Sequence, residues 1–247
     1  MSQVRTILLT HQTPECVERM LRYWDRITPR HAVFVAFGGS KEDFASLTHP
    51  HRAFIDSPRL KTRDHQREKQ SYAPVFQAAS EWLKSQDCRF VNFMEYDHVP
   101  LVKDFHQRMI SFIDKEKCGL AGFHVAQIDG SSNVHYLNHI ADPFFLRFWE
   151  KVSIRPDKRV VLTMFGSGSF WRKDTFEDVA NLTEEIPIYL ELFQPTAAHH
   201  LGFRVRSFRE QSRFVLNVGE FEDQLDSLRT QGAWSAHPVK KLWEKDF

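Results

Sequence analysis

Apolar positions in the first half of this chain alternate between two periods, one suited to buried strands and one to amphipathic helices. Residues 4–10 (Val-Arg-Thr-Ile-Leu-Leu-Thr) form a short, mostly apolar run that predicts a first strand. Thr13-Pro14-Glu15 then has the marks of a helix start: Thr as cap, Pro at the first helical position and an acid in the first turn. Val17, Met20, Leu21 and Trp24 recur at i, i+3, i+4 and i+7 and supply its inward face. Residues 31–37 predict a second strand closed by Gly38-Gly39, and residues 52–55 a short third. Residues 57–70 are charged and turn-rich. A helix is expected over 72–84, with Phe76, Ala79, Trp82 and Leu83 facing inward, followed by a strand at 89–94, a helix near 101–114 and a strand at 118–123.

After about Gly130 the rhythm breaks. Residues 133–149 are aromatic and irregular, and the aromatic-rich stretch 136–149 fits either an acceptor pocket or a partner surface. Residues 159–165 predict another strand, and Gly166-Ser167-Gly168-Ser169 a flexible turn before Phe170-Trp171-Arg172. The strand–helix alternation argues for an α/β domain with a Rossmann-like, mostly parallel sheet covered by helices on both faces. At 247 residues the chain suits a single domain.

Composition narrows the function classes. An apolar fraction of 42% with 22 Phe supports a substantial core. Net charge is +1, so no bulk attraction to nucleic acid is expected. Cys16, Cys88 and Cys118 fit no zinc or disulfide spacing and read as reduced thiols. No apolar run approaches the roughly 18 residues of a membrane span, and the N-terminus enters a strand too short for a signal-peptide core. The expectation is a soluble, cytoplasmic protein.

The chemistry concentrates where residues 89–94 run into Glu95-Tyr96-Asp97. A buried strand that ends in two acids delivers them to the carboxyl edge of the sheet, where open α/β sheets bind ligands. Two such acids need a partner, because an isolated buried carboxylate is very costly. A divalent cation, Mg2+ or Mn2+, satisfies both oxygens, and the competing reading is a solvated turn. His237, in Gly232-Ala-Trp-Ser-Ala-His-Pro238, could complete a manganese shell, with Pro238 rigidifying its approach, or be structural. His199-His200 read as the last turn of a helix ended by Gly202.

Thr10, His11 and Gln12 end the first strand, as base or phosphate contacts or as plain strand-end capping. Glu191 and Glu185 are candidate general bases, whereas Glu184 reads as a solvated acid. Arg63, His65, Arg67 and Lys69 form a basic run before a helix, suited to a diphosphate or only to solvent. The 166–169 segment lacks the lysine and the glycine spacing of a phosphate-binding loop, yet its backbone can approach an acceptor closely.

Taken in order, these segments resemble a GT-A glycosyltransferase of the broad family 2-like sort. Thr6-Ile-Leu-Leu-Thr-His-Gln-Thr-Pro14 is similar to the nucleotide-binding opening, and Phe90-Val-Asn-Phe-Met-Glu-Tyr-Asp97 falls where that family has its D-x-D strand. Gly166-Ser-Gly-Ser-Phe-Trp-Arg172 resembles the acceptor-side glycine turn, Glu191 to Phe203 the run following the catalytic acid, and His237 a late histidine on the metal. Two positions depart from the pattern: Glu95 stands for the first acid, and Phe37-Gly38-Gly39-Ser40 lacks the aspartates that read the base, for which Asp56 is the substitute candidate.

The resemblance implies a nucleotide-binding half over 1–125 and an acceptor half over 126–247. It implies transfer of a sugar from a nucleotide-diphosphate-sugar donor to a hydroxyl acceptor, with inversion. Asp97 and His237 would hold Mn2+ or Mg2+ with Glu95 assisting, and Glu191, or else Glu185, would be the base. Thr10, His11, Gln12, Asp56, Arg63, Lys69 and Tyr96 would face the donor, and Gly166, Ser167, Gly168 and Trp171 the acceptor. A sugar-phosphate nucleotidyltransferase and a non-catalytic nucleotide- or glycan-binding relative are the alternatives.

Overall fold

The computed structural model describes residues 3–56, 73–128, 137, 143–182, 188–217, 219 and 221–241. Seven strands make one sheet in the order β3-β2-β1-β4-β7-β6-β8. They are β1 (Val4–Thr10), β2 (Val33–Phe37), β3 (Arg52–Phe54), β4 (Phe90–Glu95), β6 (Leu120–Ile128), β7 (Val161–Arg172) and β8 (Val205–Ser207). All neighbours are parallel except β7, which runs antiparallel to both β4 and β6. A second, two-stranded sheet pairs β5 (Val99–Pro100) with β9 (Ser235–Ala236).

Helices cover both faces, which is why the strands read as continuous apolar runs rather than alternating ones. On one face α3 (Ala73–Lys84), α5 (Pro143–Val152), α6 (Lys173–Asn181) and α7 (Leu190–His200) pack on Ile7, Leu9, Val91, Phe93 and Trp171. On the other, α1 (Pro14–Trp24) and α4 (Phe105–Glu116) cover Leu8, Val35, Phe90 and Met94. The α1 start is as expected, with Thr13 Oγ1 accepting the Cys16 N–H at 3.4 Å and Val17, Met20, Leu21 and Trp24 buried. A short helix not anticipated, α2 (Lys41–Ser46), is capped by Ser40. At the end of α7 the N–H groups of Gly202 and Phe203 bond to the carbonyls of His199 and Ala198. Gly202, at φ 93°, supplies the left-handed residue this motif requires.

Two expectations are corrected here. Residues 166–169 are not a turn but the middle of β7, a strand of 12 residues. Ser169 is paired on both sides, with Phe93 and Gly122, and Gly168 with Met94, while the pairing to β6 jumps from Ser169 to Phe165, an irregularity that takes in residues 166–168. The ladders on either side of the irregularity hold the segment in the strand, and the local bend survives as the irregularity itself. Trp171 does not face an acceptor. It is fully buried, edge-on to Phe176 at 5.5 Å, and its Nε1–H donates to Ser169 Oγ at 2.8 Å.

The core also holds ionisable groups kept neutral. Burial alone pushes His106, on α4, down to about 3. Its folded value lies below the ordinary histidine value near 6.5, so between these values the unfolded chain takes up a proton that the fold refuses. The stabilisation is complete above pH 6.5 and is lost as pH falls. Urea midpoints at pH 7 and pH 5 should therefore show a loss on the order of 2 kcal/mol from this residue. His106→Gln should flatten that difference; an unchanged slope would contradict the assignment.

Candidate metal and donor site

The carboxyl edge of the parallel strands gathers most of the candidate residues. β4 ends at Glu95, and the Glu95 carbonyl accepts the His98 N–H at 3.1 Å, closing a turn that carries both acids. The neighbouring edge of β1 is tied in by the Tyr96 N–H, which bonds to the Leu9 carbonyl at 2.9 Å. His237 arrives from far along the chain through β9, whose pairing with β5 sets Ala236 opposite Val99. The Val239 N–H also bonds to the Asp97 carbonyl at 2.8 Å. One ligand atom each from Glu95, Asp97 and His237 then lie within 4.8 Å of one another.

The state of these groups suits a cation. Asp97 is only 6% exposed, and its buried Oδ1 has no hydrogen-bond partner among the described residues. His237 Nδ1 donates to the Leu216 carbonyl at 2.8 Å, because a carbonyl only accepts. That bond leaves Nε2, 3.5 Å from Asp97 Oδ1, as the nitrogen that holds a proton toward the carboxylate when the ring is charged and offers a lone pair to a cation when it is neutral. A metal-bound histidine characteristically gives its other N–H to such a partner. Burial disfavours the charged ring, but hydrogen bonding and attraction to Asp97, with Glu95 adding, outweigh it and raise the His237 pKa. A cation would take over that neutralising role. Two carboxylates and an imidazole are a donor set fit for Mn2+, and one cation would offset the charge of both acids.

Glu191 joins the same place. It lies in the first turn of α7, where the helix N-terminus favours negative charge. Its Oε1 accepts the Gly166 N–H at 3.4 Å. Glu95, Gly166, Ser167, Tyr189, Glu191, Asn217 and His237 line one pocket of about 100 Å³.

The other candidates divide. Thr10 is buried and its Oγ1 accepts the Gln12 N–H at 3.2 Å, so this hydroxyl caps the strand end. His11 is exposed and meets Tyr96 edge-on at 5.0 Å. Asp56 stands exposed past β3, 4.0 Å from Lys41 Nζ. Ser167 turns its hydroxyl inward to His98, and Gly168 is covered by the same ring. Glu185, Arg63 and Lys69 lie outside the described residues. His200 is structural, as expected: its Nε2–H donates to the Val160 carbonyl and Nδ1 accepts from Ser153 Oγ.

Sequence reasoning missed His98, Tyr189 and Asn217 as site neighbours, along with the β5–β9 sheet. Two-residue strands are too short to carry a period, so only the apolar Val99 beside Ala236 hinted at that pairing. A groove of about 1460 Å³ between α4 and the β8 edge includes none of the candidate ligands.

No family model matches the chain, and no curated protein does. Solved structures similar to it include the mannosyltransferase PcManGT from Pyrobaculum calidifontis in complex with GDP-Man and Mn2+ (12% identity, TM-score 0.48, 84% of this chain and 55% of that one). The bifunctional IspDF from Campylobacter jejuni is also similar (10% identity, TM-score 0.43, 84% and 50%). So is a glycosyltransferase involved in the glycosylation of the major capsid of PBCV-1 (14% identity, TM-score 0.48, 98% and 96%). The chain spans about half the length of the first two.

Proposed function

We propose that this protein transfers a sugar from a nucleotide-diphosphate-sugar donor to a hydroxyl acceptor, at a cation held by Asp97 and His237 with Glu95. One observation carries the reading: Glu95, Asp97 and His237 each offer a ligand atom within 4.8 Å of the others, and the second nitrogen of His237 is tied to a main-chain carbonyl. When bound, a divalent cation offsets the charge that grows on the leaving diphosphate.

The remaining work falls to the chain itself. The ends of β1 and β4, with His11, Gln12 and Tyr96, present the donor at the sheet edge. Glu191 accepts the proton of the acceptor hydroxyl. That oxygen forms a bond to the anomeric carbon as the bond to the diphosphate breaks, and the nucleoside diphosphate leaves. A single in-line displacement inverts the centre through an oxocarbenium-like transition state. A carboxylate in this pocket suits a neutral hydroxyl.

The test is a panel of nucleoside diphosphates and nucleotide sugars, titrated with and without Mn2+. One nucleotide should bind in a Mn2+-dependent way and its sugar conjugate should turn over. His237→Ala should raise the Mn2+ concentration needed by about 10-fold or more, as for loss of one ligand. A wild-type Mn2+ titration would return His237 to a structural role, and no binding by any nucleotide would sink the reading.

A further inference from the structure

His98 is the most enclosed imidazole near the site, 1% exposed, and neither the acid pair nor the base makes use of it. Its Nε2 shares a hydrogen bond of 2.8 Å with Ser235 Oγ on β9, and its Nδ1 faces Ser167 Oγ on β7 at 3.3 Å. A neutral ring offers one donor and one acceptor, and a hydroxyl serves as either, so the pair fits both tautomers. The ring also packs on Phe123 at 4.9 Å and lies 5.7 Å from the His237 ring. Its approach to β7 requires glycine at 168, where a Cβ would stand 2.5 Å from Nδ1.

Asp97 and His237 belong to elements far apart in sequence, and main-chain pairing brings only their backbones together. The Asp97 carboxylate has no hydrogen bond at Oδ1 to orient it. The turn that carries it is anchored by β4 on one side and by the His98 ring on the other. Ser235, the anchor of that ring, is two residues before His237, which follows directly on β9. We propose that His98 is a positioning residue for the cation site, clamped between Ser235 and Ser167 so that Asp97 Oδ1 and His237 Nε2 converge on one ion. This inference rests on the metal reading above.

The test is Mn2+ affinity of the nucleotide-free protein, followed by electron paramagnetic resonance, in wild type, Asp97→Ala, Ser235→Ala and His98→Gln. Wild type should bind in an Asp97-dependent way. Ser235→Ala and His98→Gln should each weaken Mn2+ binding about 10-fold or more, as loss of outer-shell support does, while circular dichroism reports an unchanged fold. Wild-type affinity in folded Ser235→Ala would overturn the positioning role and leave the metal reading standing. Absence of Asp97-dependent binding in wild type would overturn both. Should His98→Gln fail to fold, Ser235→Ala alone decides, because a serine-to-alanine change removes one hydroxyl and adds no volume.

Discussion

Asp97→Ala is expected to separate two stabilities that usually move together. In the metal-free protein, at a pH well above the raised His237 pKa so that the ring is neutral, the variant should be close to wild type in stability. The deleted carboxylate is buried, Oδ1 forms no hydrogen bond, and the bond to Val239 N–H is made by the main chain and survives. At that pH removing a desolvated carboxylate without a hydrogen bond costs little, whereas at lower pH the attraction to the charged His237 ring is lost as well. With Mn2+ and the cognate nucleoside diphosphate present, the two proteins should part. Ligand at 100 times Kd stabilises a folded protein by about 2.7 kcal/mol, and the variant should lose nearly all of it. Urea melts under the four conditions measure this directly. Equal ligand stabilisation in both proteins would remove Asp97 from the cation site.

Glu191→Gln is expected to divide turnover from binding. The amide is isosteric and keeps an oxygen for the Gly166 N–H, so the pocket shape and the start of α7 should persist. What disappears is the capacity to take a proton. General-base assistance is worth about 10²–10⁴ in rate, so single-turnover transfer should fall by that factor while donor affinity, measured by calorimetry, stays within about twofold. A loss confined to affinity would make Glu191 a binding group. A near-normal rate would disqualify it as the base and turn attention to Glu185.

Strong local periodicity was readable wherever one physical cause dominated. The cap, proline and apolar face of α1 agree with one another, so that helix stands where its residues place it. The 166–169 stretch failed for the opposite reason: Gly-Ser-Gly-Ser favours bending when judged alone, but the ladders on either side hold it in a central strand, and the bend survives only as an irregularity in the pairing with β6. Trp171 followed from the same misreading, since a residue near a turn is exposed and one in the middle of a sheet is not. The acids after β4 were legible because an apolar strand that stops in carboxylates has few other meanings. His98 was not, although it sits between Asp97 and Val99, because its partners Ser167 and Ser235 come from elements that only the folded chain brings together.

By itself, then, the order of residues determined the alternation of buried strands and amphipathic helices, the edge at which Glu95 and Asp97 emerge, and the helix ends marked by Thr13 and Gly202. These are short-range matters, set by steric preference, capping and the burial of one face. Only the tertiary structure decided that β7 lies antiparallel between β4 and β6, and that a two-residue pairing carries His237 to Asp97. It also decided that one oxygen of Asp97 is left buried without a hydrogen bond. Those outcomes depend on contacts between segments far apart in sequence, whose free energy comes from packing and ladder completion that no local window contains.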